Sequence, residues 1–218
     1  MEEYIQAVIL IVVGFFAGVI NTLAGGGSLF TLPVLIFLGL PPNIANGTNR
    51  IAIVIQSLSG ALGYKSKGIS NFPFNIYLGI SASIGAVIGA QIAIDLDGRL
   101  FNRILAIILI VVGGLILMNA KNLTHKLPER LTGKYLLFGI IGFFFIGIYG
   151  GFINAGIGIV IMLFLNRINR LSLVKTNASK TAIVFIYSSL ALAVFAFNDA
   201  INWKLGLLMA LGTSVGAW

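Results

Sequence analysis

Cysteine is absent from this 218-residue chain, histidine occurs once, and charged residues make up only 9% of it. Without cysteine there are no disulfides, no thiolate nucleophile and no cysteine-ligated metal. His125 stands alone in a polar loop, reads as a solvated residue, and cannot build a metal or acid–base centre by itself. No acid pair falls inside an apolar run and no Gly-x4-Gly-Lys loop is present, so the inventory for hydrolysis or ATP coupling is missing. The chain therefore reads as a non-enzyme with no cofactor and no metal. Alternating ten-residue patterns are lacking as well, which argues against a β-barrel.

What is abundant is apolar surface: 58% hydrophobic residues, 27 glycines and a mean hydropathy of +1.04. Soluble domains sit nearer ~45–50% apolar even when glycine is counted. The fold class is thus all-α, a multi-pass transmembrane bundle in which small residues let helices approach closely. The formal charge of +8 would suggest nucleic acid in a soluble protein. Here the basic residues cluster in a few loops, which fits a lipid bilayer as partner and leaves no reason to invoke nucleic acid. The start, Met1-Glu2-Glu3-Tyr4, is acidic, so the first apolar run reads as a retained span rather than a cleaved signal.

Nine apolar segments follow one another, at about 4–20, 29–38, 45–64, 74–94, 101–118, 135–153, 159–165, 176–197 and 203–218. A full span needs ~20 residues, so the second and seventh are too short to be simple spans. Each follows a glycine break: Asn21-Thr22-Leu23-Ala24-Gly25-Gly26-Gly27-Ser28 before one, Asn154-Ala155-Gly156-Ile157-Gly158 before the other. Irregular backbone at membrane depth survives only where protein buries it or water lines it, so the breaks read as functional elements. Two glycine-rich packing seams between ordinary spans are the alternative.

The chain also repeats itself. Ala24-Gly25-x-Gly27 matches Ala155-Gly156-x-Gly158, and Thr48-Asn49 matches Thr176-Asn177. Asn75, Leu78, Gly79, Gly85, Gly89 and Ala90 match Asn202, Leu205, Gly206, Gly212, Gly216 and Ala217. Three blocks in one order at nearly one offset indicate duplication. The expected organisation is a first transmembrane repeat at 1–120, a cytoplasmic linker at 121–134 and a second repeat at 135–218 that lacks its last span. With all segments crossing and the start outside, the inner loops hold Lys65, Lys67, Lys121, Lys126, Arg130, Lys134, Arg167, Arg170 and Lys175. That distribution obeys the positive-inside rule. Five crossings per repeat make the second repeat inverted, a plan common among secondary transporters. The counterpart of the fifth segment has no room before Trp218, so a tenth span is expected to have been lost or to lie outside the given sequence, with a nine-segment form as the alternative.

At these residues the chain resembles the TauE/SafE sulfite-exporter-like family, also called TSUP. The resemblance is carried by Gly14-x3-Gly18, Ala24-Gly25-Gly26-Gly27-Ser28, Pro33, Gly39-x-Pro41-Pro42, Ala45-Asn46-Gly47-Thr48-Asn49 and Gly85-x3-Gly89. It implies a secondary transporter in the cell (inner) membrane that exports small sulfur-containing or organic anions such as sulfite or sulfonates. The second half departs from the pattern: Ile157 interrupts its glycine triplet, no proline stands at the equivalent of Pro33, and Lys175 precedes Thr176-Asn177.

An anion crossing lipid needs donors and positive potential. Gly25, Gly26, Gly27 and Gly156 can present backbone N–H groups at helix starts. Ser28, Thr48 and Thr176 add hydroxyls, and Asn21, Asn49, Asn154 and Asn177 add amides, with capping and interhelical bonding as the plain alternatives. Arg50 and Lys180 lie next to wholly apolar stretches with no acid nearby in sequence, so an anionic ligand is a natural partner. Snorkelling to the interface is the alternative for both. Gln56 lies about a turn and a half beyond Arg50 and can face the same path. Protons, carried on the substrate in its protonated form, or another coupling ion complete the expected partners, and a homo-oligomer is compatible with the sequence. A passive anion channel, or a structural subunit of a membrane complex, remains open as a second function. On backbone grounds, Gly26→Val is expected to damage transport more than Gly89→Ala, which reads as a change in a packing seam.

Overall fold

In the computed structural model, which describes residues 2–119 and 128–218, every regular element is a helix. They are α1 (Glu2–Ala24), α2 (Ser28–Phe37), α3 (Pro42–Ser66), α4 (Phe74–Asp95), α5 (Gly98–Asn119), α6 (Lys134–Phe152), α7 (Ile157–Arg167), α8 (Leu173–Phe197) and α9 (Trp203–Ala217). The loop residues Lys121, His125 and Lys126 lie outside the described residues. Four helices, α1, α4, α6 and α8, are long and apolar enough to cross a membrane. Many of their large apolar side chains point outward: Phe15, Phe16, Ile84, Ile88, Phe138 and Phe145 are all exposed. That is the reverse of a soluble core and the expected surface of a helical membrane bundle. α3 has 25 residues but carries Asn46, Thr48, Asn49, Arg50, Gln56 and Ser57, all buried, so its polar face turns to the centre of the bundle.

Glycine seams fix the packing. A Cβ on Gly212 of α9 would lie 2.1 Å from the Ile11 carbonyl oxygen and 2.8 Å from the Phe15 nitrogen of α1. A Cβ on Gly85 of α4 would lie 2.1 Å from the Phe144 oxygen and 2.8 Å from the Ile148 nitrogen of α6. Gly216 meets the carbonyl of Phe15 and Gly89 that of Ile148 in the same way. One backbone-on-backbone interface is built twice, each time between helices that run in the same direction. α3 and α8 cross between these pairs in opposite directions, Gly47 lying by Phe195 and Gly60 by Thr181.

These directions bring Lys65, Lys67, Arg130, Lys134, Arg167, Arg170 and Lys175 to one end of the bundle, with Glu129 paired to Lys175 at 2.9 Å. Glu3, Asp95, Asp97 and Asp199 gather at the other, where Lys204 pairs with Glu3 at 3.2 Å. α2 and α7 are 10 and 11 residues long, about 15 Å at 1.5 Å per residue, or half a bilayer core. Each turns back from depth towards the end its predecessor came from, so α1–α2 and α6–α7 form two opposed hairpins and not the full crossings expected of every segment; 10 and 11 residues are too short to reach the far side.

Packing alone ranks Gly26 and Gly89 the other way for stability. Gly26 has room for a methyl group, its nearest neighbours being side-chain carbons at 3.5 Å, whereas a Cβ on Gly89 would sit 2.0 Å from the Ile148 oxygen. Gly89→Ala is therefore expected to cost ~3 kcal/mol or more by forcing α4 off α6. Gly113→Ala, with open space around it, should be neutral or gain up to ~1 kcal/mol of helix propensity. Thermal unfolding of the two variants in detergent checks the contrast.

Candidate functional site

The tips of the two hairpins meet. α1 stops at Ala24 because Gly25 takes φ +79°, a left-handed turn that glycine enters without strain. The second break turns on Asn154 (φ 59°) and Gly156 (φ 69°); asparagine is one of the few other residues that tolerates this region. A Cβ on Gly25 would fall 2.4 Å from the carbonyl carbon of Gly158, so the breaks touch backbone to backbone. Ser28, the first residue of α2, joins them: its Oγ donates to the Asn154 carbonyl at 2.9 Å and accepts the Gly156 N–H at 3.2 Å. The Tyr187 hydroxyl donates to Asn154 Oδ1 at 2.6 Å, and the Tyr149 hydroxyl donates to the Ala155 carbonyl.

A broken helix leaves its last carbonyls without partners, and its C-terminal end carries about half a negative charge. Both broken helices solve this with an asparagine and a cation from the other half of the chain. At the end of α1, Lys180 Nζ donates to the carbonyls of Asn21 (2.7 Å) and Thr22 (3.2 Å), and Asn177 Nδ2 donates to that of Leu23 (3.2 Å). Lys180 Nζ also reaches Asn177 Oδ1 at 2.8 Å. At the end of α6, Arg50 Nη1 and Nη2 donate to the carbonyls of Gly150 and Gly151, both at 2.6 Å. Asn46 Nδ2 donates to that of Phe152 at 2.7 Å, and the guanidinium carbon lies 5.4 Å from the centroid of the Phe195 ring. Three consecutive carbonyls are capped in each case. Among the described residues, neither Arg50 nor Lys180 has a carboxylate partner. Neither snorkels: they are 0% and 2% exposed.

Arg50→Ala strands two carbonyls, those of Gly150 and Gly151, at a buried helix end and should cost about 2–6 kcal/mol, at roughly 1–3 for each. Arg50→Lys should recover only part of it, because a single ammonium does not reproduce the two parallel bonds of the fork. Unfolding midpoints in detergent read both.

Between the joined tips, α3 and α8 lies a small polar cavity. It is lined by Asn21, Ser28, Gln56, Ser57, Asn154, Ile157, Gly158, Lys180, Thr181 and Val184. Its volume is about 10 Å³, roughly what one water molecule needs, so the bundle is closed around it. Gln56 and Ser57 are both buried in its wall. Towards the basic end, a wider pocket of about 240 Å³ is lined by Thr22, Gly60, Tyr64, Lys67 and Trp218 among others. Thr181, which lines the small cavity, lies beside Gly60 and Thr22 of this pocket.

Of the residues singled out in the sequence, Asn21, Ser28, Gln56, Asn154 and Lys180 come together around the cavity. Gly25 and Gly156 shape the breaks, and Asn177 stands behind Lys180. Gly26 borders Leu29 and Ile159, while Gly27 packs on the Ala17 carbonyl. Thr48 accepts the Asn202 N–H at 2.8 Å, and Thr176 donates to the Leu171 carbonyl at 3.3 Å. Arg50 is spent on α6, and Asn49 is buried with neither amide atom bonded. Ser57, Thr181, Asn46 and Tyr187 were not among the expected site residues, although Asn46 stands in the motif that carries the resemblance. The first two adjoin Gln56 and Lys180 on polar helix faces, a signal that could have found them; Tyr187 gave none. Among the described residues no group of His, Cys, Asp or Glu could hold a metal ion.

The sequence profile of the family described as Sulfite exporter TauE/SafE matches residues 10–218. A probable membrane transporter protein of Haemophilus influenzae is 31% identical over 96% of this chain and 81% of its own length. The probable membrane transporter protein ORF9 of a Sinorhizobium species is 30% identical over 95% of this chain and 79% of its own. The probable membrane transporter protein YfcA of Escherichia coli is 26% identical over 96% and 77%. No solved structure gives a significant match.

Proposed function

The chain belongs to the Sulfite exporter TauE/SafE family, and from that premise we propose that it is a secondary carrier of small sulfur-containing or organic anions. In this reading it sits in the inner membrane with its basic end in the cytoplasm, as two inverted repeats of about five segments, and moves sulfite, sulfonates or chemically similar anions outward. The observation that carries the reading is Lys180: a buried ammonium without a carboxylate partner, facing a polar cavity where two broken helices meet. An anion entering there finds positive charge in a low-dielectric surround, where its attraction is strongest. Asn154, Gln56 and Ser57 offer hydrogen bonds around it, and the N-terminal dipoles of α2 and α7 point to the same region.

The duplicated seams support the repeat organisation, since helices equivalent by sequence offset use the same interface. The closed cavity favours a carrier over a pore. An anion of several heavy atoms does not fit about 10 Å³, so passage needs the hairpin tips to part and re-form on the other side.

Purified protein in liposomes, tested for counterflow of labelled sulfite, sulfonates, sulfate and carboxylates, checks the reading. Saturable exchange of one class is the expected result. Rates of ion conduction in planar bilayers would assign a channel instead, and no flux of any anion would overturn transport.

A further inference from the structure

Lys180 and Arg50 perform the same task at the two broken helices with different chemistry. A guanidinium keeps its proton under all ordinary conditions, whereas an amine can release its own. Arg50 does not line the cavity; Lys180 does. The groups around Lys180 Nζ are the carbonyls of Asn21 and Thr22 from α1, Asn177 Oδ1 on its own helix and Met162 Sδ of α7 at 3.8 Å. Gln56 and Ser57 of α3 and Asn154 of the second break share the cavity with it. None of these is titratable or charged, so the ammonium is held by neutral dipoles alone, and nothing nearby fixes its charge.

Resting on the carrier reading above, we propose that Lys180 is the proton-exchanging group that couples anion movement to the proton gradient. With its proton, Lys180 holds the end of α1 and attracts the anion. When the proton leaves to cavity water, both the attraction and the cap on Asn21 and Thr22 weaken together. The anion and the hinge of the first hairpin are then released in one step. The proton travels with the anion, so the pair moves without net charge for a monovalent substrate. Arg50 keeps the second hairpin capped throughout, which gives the cycle one movable latch and one fixed one. This assigns the coupling to a side chain, where a substrate carrying its own proton would need none.

The test uses the full chain in proteoliposomes with an imposed pH difference, a labelled monovalent sulfonate that stays ionised, and a trapped pH dye. One proton per anion predicts steady accumulation of about tenfold per pH unit, with a matching dye signal. Lys180→Arg retains a positive charge that does not titrate, so it should equilibrate the anion without accumulating it, however slow its flux. Accumulation by Lys180→Arg equal to wild type would overturn the proposal. So would wild-type counterflow with no proton movement, a result that leaves transport itself standing; absence of wild-type counterflow would instead remove the carrier reading.

A second measurement does not depend on transport by a variant. In nanodiscs containing nitrogen-15-labelled lysine, the Lys180 resonance, identified by its loss in Lys180→Met, should change protonation across the pH range in which wild-type flux changes. A resonance that remains an ammonium throughout that range would overturn the assignment.

Discussion

Lys180→Ala is expected to lower anion flux about a hundredfold while the protein still reaches the membrane. The substitution removes what is, among the described residues, the one cation lining the cavity, and a charge-assisted contact in a desolvated site is worth about 3 kcal/mol, or two factors of ten. It also takes the ammonium from the Asn21 and Thr22 carbonyls, leaving the Asn21 oxygen only the Gly25 N–H at 2.9 Å, so some stability goes with the charge. The two effects separate by experiment. Flux normalised to folded protein, measured by liposome counterflow with folding checked by size-exclusion profile, should still fall by the full amount. Lys180→Met, which keeps the length and apolar stem of the side chain, should be equally inactive and better folded. Near-normal flux through folded Lys180→Ala would reject the role of Lys180 in holding the anion.

Gly158→Ala should be at least as severe, and for a different reason. The added methyl would lie 2.4 Å from the Gly25 carbonyl oxygen and 2.5 Å from its Cα. Both are backbone atoms of a turn already fixed by its φ of +79°, so no rotamer change relieves the clash. The hairpin tips must separate, which breaks the bonds from Ser28 to Asn154 and Gly156. A cost of about 3 kcal/mol or more follows from overpacking alone, a large fraction of the net stability of an ordinary domain. Loss of monodisperse protein on extraction, or of all flux in what remains, is the expected outcome. Gly26→Ala, one residue from the other contact, has ordinary van der Waals room and should retain both. Equal behaviour of the two variants would mean that the tips do not need to touch.

Much of the fold was legible because its determinants are local. Apolar runs and Gly or Pro stops placed all nine helices within a few residues of their observed ends. The shortness of two runs after glycine breaks marked α2 and α7 as something other than simple spans, but the charge pattern was read with every segment crossing, and only the fold shows the two short helices turning back. The offset between matching glycines anticipated that two interfaces would share a design, since Gly85 and Gly212 occupy equivalent places in their seams. The absence of cysteine, of acid pairs and of a phosphate loop narrowed the chemistry without reference to shape.

What only the tertiary structure decided is where the backbone polar groups go. Arg50 and Lys180 were recognisable as costly intramembrane charges with no acid near them, and sequence logic therefore supplied an external anion as partner. The fold supplies helix-end carbonyls instead, 100 residues away for Arg50 and 159 for Lys180, because a broken helix exposes acceptors that no side-chain letter records. That contact separates the two cations, sealing one and leaving the other on the cavity. Likewise, the sequence shows that Gly26 and Gly89 are glycines, but only packing shows which has a backbone within 2 Å of its missing side chain. Residue identity determined the elements and the chemistry on offer; the crossing of two halves of the chain determined which of those groups meet.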